Sequence, residues 1–187
     1  MTRLMIIVAS IREGRIGLPI AQWVRGVAES DGRFDIDFAD LKEIDLPLMD
    51  EPNHPRLRQY TKDHTKAWSE RVDAADAFVF VQPEYNYSYA PGLKNALDYL
   101  HQEWRRKPVG TVSYGGISGG TRGVVALRPV QQALGLVPTG ANVELAWAAQ
   151  QLDDDGEFQP RESNERVLRT QFDEIVALDA ALRPLRG

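Results

Sequence analysis

Ser10, Arg12 and Arg15 stand inside the segment Ala9-Ser10-Ile11-Arg12-Glu13-Gly14-Arg15-Ile16-Gly17, which leads directly into a helical pattern. Free backbone N–H groups at a helix start attract an anion, and a hydroxyl with two forked cations can grip a phosphate bidentately. The segment is no Walker A loop, which needs a Gly-Lys-Ser/Thr ending. Nor is it a G-x-G-x-x-G fingerprint, since its only glycines are Gly14 and Gly17. A plain turn with solvated arginines would use the same residues. A second cluster, Pro83-Glu84-Tyr85-Asn86-Tyr87-Ser88-Tyr89, packs three tyrosines, an amide and a carboxylate into one short loop, a mixture suited to a flat ring with polar edges. In a third, Ser113-Tyr114-Gly115-Gly116-Ile117-Ser118-Gly119-Gly120, the glycines bare the backbone so that a ligand can approach the main chain. Flexible chain reversal is the alternative for that loop.

Each cluster follows an apolar run. Buried-strand patterns cover residues 3 to 9, 76 to 82 and 109 to 113, while Phe34 to Ala39 alternates as a strand with one wetter face and 138 to 145 supplies the last strand. Between them, Ile20, Val24, Val27 and Ala28 share one face of the first helix, and Leu168, Phe172, Ile175, Val176 and Leu182 share one face of the last. Pro129 falls within the helical segment from Gly120 to Gly135, so that helix is expected to kink there or to start later. Strict alternation of five strands and five helices predicts a single α/β domain over residues 1–187: a doubly wound, five-stranded parallel sheet in a three-layer α/β/α sandwich. Ligands of such sheets sit at the carboxyl ends of the strands, where all three loops fall. Together the loops fit one phosphate-bearing heteroaromatic ligand.

Composition narrows the partners. A formal charge of -5 and a pI near 5.3 argue against nucleic acid or an anionic membrane, and Trp104-Arg105-Arg106-Lys107 is too short a basic cluster to reverse this. The chain has no cysteine, which excludes disulfides, thiolate nucleophiles and Cys-ligated metals and fits a reducing cytoplasm. Met1 to Val8 lacks the features of a signal peptide, and no apolar stretch approaches a membrane span, so a cytoplasmic location is expected. His54, His64 and His101 lack carboxylates at ligand spacing and read as surface residues. The turn Asp153-Asp154-Asp155-Gly156 has some EF-hand positions, but Gln151 stands at the first and a strand precedes it, so no metal is expected there.

On Ser10 and Arg12, on Pro83-Glu84-Tyr85-Asn86 followed by Pro91-Gly92-Leu93-Lys94-Asn95-Ala96-Leu97-Asp98, and on the glycines from Gly115 to Gly120, the chain resembles the NADPH-dependent FMN reductases, a flavodoxin-like family that includes quinone, azo-dye and chromate reductases. The resemblance covers nearly the whole length. It implies that Ser10, Arg12, Arg15, Ile16 and Gly17 hold the FMN phosphate. Pro83, Glu84, Tyr85 and Asn86 would line the isoalloxazine, and Ser113, Tyr114, Gly115, Gly116, Ser118 and Gly119 its far side. The phosphate loop departs from many relatives, which have Gly where this chain has Ala9 and Ser where it has Arg15.

The activity implied is ping-pong hydride transfer from NADPH, or NADH, through FMN to a small-molecule acceptor such as a quinone, free flavin or azo compound. The flavin carries that chemistry, in keeping with the lack of a Ser-His-Asp set or carboxylate pair, and Glu84 is expected to bond loop amides or a neighbouring subunit instead of acting as an acid. Leu93, Ala96, Leu97, Tyr99, Leu100 and Trp104 read as core, while the resemblance puts their helix beside a subunit interface and implies a homodimer or homotetramer. Two other function classes stay open: a flavodoxin-like electron carrier that turns over no nicotinamide, and a ligand-free interaction domain.

Overall fold

The computed structural model describes residues 1–186. Six strands, β1 (Thr2–Val8), β2 (Phe34–Asp40), β3 (Ala77–Pro83), β4 (Pro108–Gly115), β5 (Val137–Pro138) and β6 (Val143–Ala146), form one sheet in the order β2-β1-β3-β4-β5, with β6 also on β4 and every pairing parallel. The six α-helices are α1 (Gly17–Asp31), α2 (Leu41–Ile44), α3 (Asp63–Ala74), α4 (Pro91–Asp98), α5 (Thr121–Leu134) and α6 (Glu162–Leu182). Because a parallel sheet is covered on both faces, its inner strands read as near-continuous apolar runs, and β3 is buried at every residue, whereas β2 at the edge alternates. Leu4, Ile6 and Val8 of β1 face α1 and α6, whereas Met5 and Ile7 face α3, α4 and α5. The order 2-1-3-4-5 is the flavodoxin-like doubly wound topology. Its switch point falls between β1 and β3, where Ala9 N–H donates to Val81 O at 2.9 Å.

The expected last strand is not continuous. It breaks into β5 and β6, and α6 supplies what the broken ladder loses. Gln171 Nε2 donates to Thr111 O at 3.1 Å and to Ala141 O at 2.7 Å, while Glu174 Oε2 accepts from Gly140 N at 2.6 Å. Gly110 leaves room for this bridge, since a Cβ there would meet Gln171 Oε1. For α5, the later start is not what the structure shows. The helix starts at Thr121 and runs through Pro129. Both Pro129 and Val125, one turn earlier, are exposed, so the hydrogen bond that the proline cannot donate is lost on the solvent side of the helix.

The residues read as core in α4 and after it are core: Leu93, Leu97, Tyr99 and Trp104 are wholly buried. Fully burying an aliphatic side chain of this kind contributes about 1.5–3 kcal/mol. Asn95, in the same segment, clamps a loop over residues 46–55 that holds Pro47, Pro52 and Pro55, donating from Nδ2 to Pro47 O at 2.8 Å and accepting from Met49 N–H at 3.0 Å. The acidic turn is closed by its own carboxylate. Asp153 accepts from the backbone of Asp155 and Glu157 and from Gln159 Nε2.

Lys107, read as part of a basic surface cluster, is buried, with Nζ donating to Val72 O and Asp73 O, both at 2.9 Å, at the carboxyl end of α3. Burial lowers its pKa to about 8, below the ordinary 10.5. A lysine whose folded pKa lies below its unfolded one binds fewer protons when folded, so stability rises with pH between the two values. From pH 8 to pH 10 the gain is expected to be on the order of 1–2 kcal/mol. Chemical denaturation across that window should show the rise and lose it in Lys107→Met; equal slopes in the two proteins would refute it.

Candidate functional site

The three loops meet around a cleft of about 230 Å³ at the carboxyl ends of β1, β3 and β4, lined by Ser10, Arg12, Gly14, Arg15, Ile16, Pro83, Glu84, Tyr85, Tyr114, Gly115 and Ala149. A larger, mostly apolar hollow of about 460 Å³ lies on the other side of Ile11 toward Leu41, Leu46, Leu48 and Pro91, with Lys42, Asp45 and Asn95 also in its lining.

On the β1 side of the cleft, α1 begins after Ile16 with no side chain capping its first turn and no acidic residue within it. Its leading N–H groups are therefore open to an anion. Arg12 is exposed and makes only a 3.4 Å contact to Glu13 O. Arg15 is held differently. Its Nη1 and Nη2 donate to the two oxygens of Asp40 at 2.5 Å each, and Nη1 also reaches Ser10 O at 2.7 Å, with both side chains more than nine-tenths buried. Asp40 went unnoticed in the sequence. The signal for it is register: β2 lies beside β1, and Val8 pairs with Asp40.

The β3 loop is a tight turn in which Tyr85 and Ser88 exchange both backbone hydrogen bonds around Asn86 (φ +49°) and Tyr87 (φ +69°). Two successive positive φ values make this the primed turn of a hairpin. Tyr85 Oη lies 2.7 Å from Ser10 Oγ, joining the β1 and β3 loops. Glu84 is turned to the β4 loop, where it accepts from Ser118 Oγ (2.8 Å) and from Arg122 N–H (3.1 Å) and forms an ion pair with the Arg122 guanidinium, whose Nε lies 2.6 Å from Oε1. Arg122 stacks on Tyr87, 3.9 Å from the ring centroid. Arg122 too escaped the sequence reading, since nothing local links positions 84 and 122.

Of the expected residues on the β4 side, Tyr114 and Gly115 reach the cleft. Ser113 is wholly buried and donates to Gly119 O at 2.8 Å, which shapes the glycine loop from behind. Gly17, Asn86, Gly116, Ser118 and Gly119 lie around the cleft without lining it. Gly17 must lack a side chain because a Cβ would strike Tyr114 Oη. That hydroxyl is buried and has no hydrogen-bond partner among the described residues, and burial pushes its pKa well above the ordinary 10. A buried donor left unpaired costs about 1–3 kcal/mol, which a ligand's acceptor would recover. Open helix amides, a free guanidinium and this phenol form a donor set that fits a phosphorylated, polar-edged ligand.

The comparisons agree with that geometry. An NAD(P)H-dependent FMN reductase from Schizosaccharomyces pombe is 43% identical over 120 residues, covering 63% of this chain and 60% of that protein. The NAD(P)H-dependent FMN reductase LOT6 from Saccharomyces cerevisiae is 38% identical over 125 residues, or 61% of this chain and 65% of its own length. The chain thus spans a little under two thirds of these relatives. Among solved structures, FerB, a flavoenzyme NAD(P)H:(acceptor) oxidoreductase from Paracoccus denitrificans, superposes with a TM-score of 0.75 at 19% identity, covering 96% of this chain and 98% of that one. The family model for NADPH-dependent FMN reductase matches residues 2–150, across every strand and all three cleft loops, and the chain belongs to that family.

Proposed function

We propose that the protein is an FMN-dependent NAD(P)H oxidoreductase that passes hydride equivalents to a quinone or a similar small acceptor. The observation that carries this is the meeting, in one cleft, of an uncapped helix start and an unpaired Arg12 with the aromatic and bare-backbone walls of the β3 and β4 loops. FMN, when bound, supplies the hydride chemistry, so the residues here need only bind, orient and exclude water. In this reading Arg12 and the amides after Ile16 take the phosphate. Arg15, locked by Asp40, sets the shape of the loop and keeps Ser10 in place. Tyr114 donates its orphaned O–H to the cofactor, and Glu84 holds the β3 and β4 loops at a fixed separation instead of moving protons.

Arg12→Ala should weaken FMN binding by on the order of 1.5–3 kcal/mol, roughly ten- to a hundredfold, through loss of a charge-assisted contact. Isothermal titration of apoprotein with FMN measures it, and an unchanged affinity removes Arg12 from the site. The activity itself is tested by anaerobic mixing of FMN-loaded protein with NADPH and with NADH, followed by a quinone. Bleaching of the flavin band by either nucleotide and its return with quinone are expected. Absence of bleaching with both would point to an electron carrier. A homodimer or homotetramer belongs to the same proposal, supported by the apolar hollow beside Ile11 and Leu48, and light scattering of the FMN-loaded protein decides it.

A further inference from the structure

Four large apolar side chains stand exposed on the loops at the carboxyl end of the sheet: Ile11, Tyr87, Ile117 and Trp147. Trp147 is the one the fold does least to justify. Its φ is +53°, a left-handed conformation that is an outlier for a bulky side chain and costs roughly 1–2 kcal/mol. The residue is half exposed, at 51%, whereas Trp68 and Trp104 are 2% and 0% exposed in the core. Strain and exposure together make Trp147 a poor stabiliser.

The ring is nevertheless held in a defined place. Trp147 N–H donates to Gly116 O at 3.1 Å, its carbonyl accepts from Gln150 N–H at 2.9 Å, and its Cζ3 would lie 3.9 Å from a Cβ at Gly116. It also starts the short turn Ala148–Gln151, which carries Ala149 into the cleft wall. The indole therefore lies against the glycine shelf beside the cleft. Strained backbone positions cluster at ligand sites, and here the strain coincides with a half-exposed tryptophan. Arg122, in the first turn of α5, is turned to Glu84 and stacked on Tyr87. What Trp147 offers is a flat, apolar, electron-rich face.

We propose that Trp147 is a specificity-determining residue, the stacking wall for planar aromatic electron acceptors of the quinone class. This rests on the flavin reading of the cleft. Offset stacking on an indole favours a flat conjugated ring and gives nothing to a compact inorganic oxidant.

The test compares wild type, Trp147→Gly and Trp147→Phe, all loaded with FMN, using a naphthoquinone and ferricyanide as alternative acceptors. Trp147→Gly should raise the naphthoquinone KM about three- to tenfold, with Trp147→Phe recovering part of the loss. The ferricyanide and NADPH KM values, the FMN affinity and the mass by light scattering should stay unchanged. The melting temperature should hold or rise, since glycine adopts this φ without strain. An unchanged naphthoquinone KM overturns the proposal. So does an equal loss with ferricyanide or NADPH, weaker FMN binding, a lower melting temperature or an altered mass, each of which would make Trp147 a cofactor, structural or interface residue. If wild type itself binds no FMN or is reduced by neither nucleotide, the flavin reading has failed and this proposal falls with it, a failure seen before any variant is made.

Discussion

Asp40→Ala is expected to cost about 3–5 kcal/mol of unfolding free energy, because it strands a buried guanidinium. Arg15 and Asp40 share two 2.5 Å hydrogen bonds with side chains 8% and 9% exposed, and no other carboxylate meets Arg15 among the described residues. Asp40 also accepts from Lys42 N–H at the start of α2, so the variant loses a cap as well as an ion pair. The damage reaches the cleft: Arg15 Nη1 holds Ser10 O, and Ser10 in turn meets Tyr85. FMN uptake should therefore fall alongside the urea midpoint. Replacing both partners, as in Arg15→Met with Asp40→Leu, removes the stranded charge and should recover much of the stability while leaving FMN binding impaired. A loss below about 1 kcal/mol in the single variant would mean that Arg15 swings out to water and the pair is a surface one.

Gly120→Ala is expected to cost about 3 kcal/mol, combining a left-handed backbone with a collision that has no soft side. The residue sits at φ +90°, and an added Cβ would lie 2.7 Å from Ser113 Cβ and 2.8 Å from Tyr114 N. Those atoms belong to β4, which is paired on both sides and cannot retreat. The loop must move instead, carrying Gly119 away from Ser113 and disturbing the amides that border the cleft. Gly116→Ala is the control. Its Cβ would meet only Trp147 Cζ3 at 3.9 Å, so its melting temperature should stay close to wild type. Equal losses in the two variants would show that glycine loop flexibility, not the contact at Gly120, sets the stability.

Much of the layout was legible because it is written locally. The runs in β1, β3 and β4 are apolar without alternation, as strands covered on both faces must be, and the faces of α1 and α6 repeat every three to four residues. The positions of the three loops followed from where those runs stop. What stayed hidden depends on pairs far apart in the chain. Arg15 looked free because its partner stands 25 residues away, and Glu84 gives no local hint of Arg122. The split of the last strand was invisible for the same reason, since the groups that make it tolerable belong to α6. Pro129 does not end α5, because the hydrogen bond it forgoes lies on the exposed side of the helix. Trp147 gave no warning, since a left-handed backbone is announced by glycine or asparagine and not by an indole.

The bridge from α6 to the broken sheet edge bears on how the chain is made. Ribosomal synthesis delivers β6 well before Gln171 and Glu174 emerge, so for that interval the amides of Gly140 and Ala141 and the carbonyl of Thr111 have no internal partner. An open edge of this kind invites pairing with another chain. The nascent protein thus keeps an open sheet edge until α6 docks.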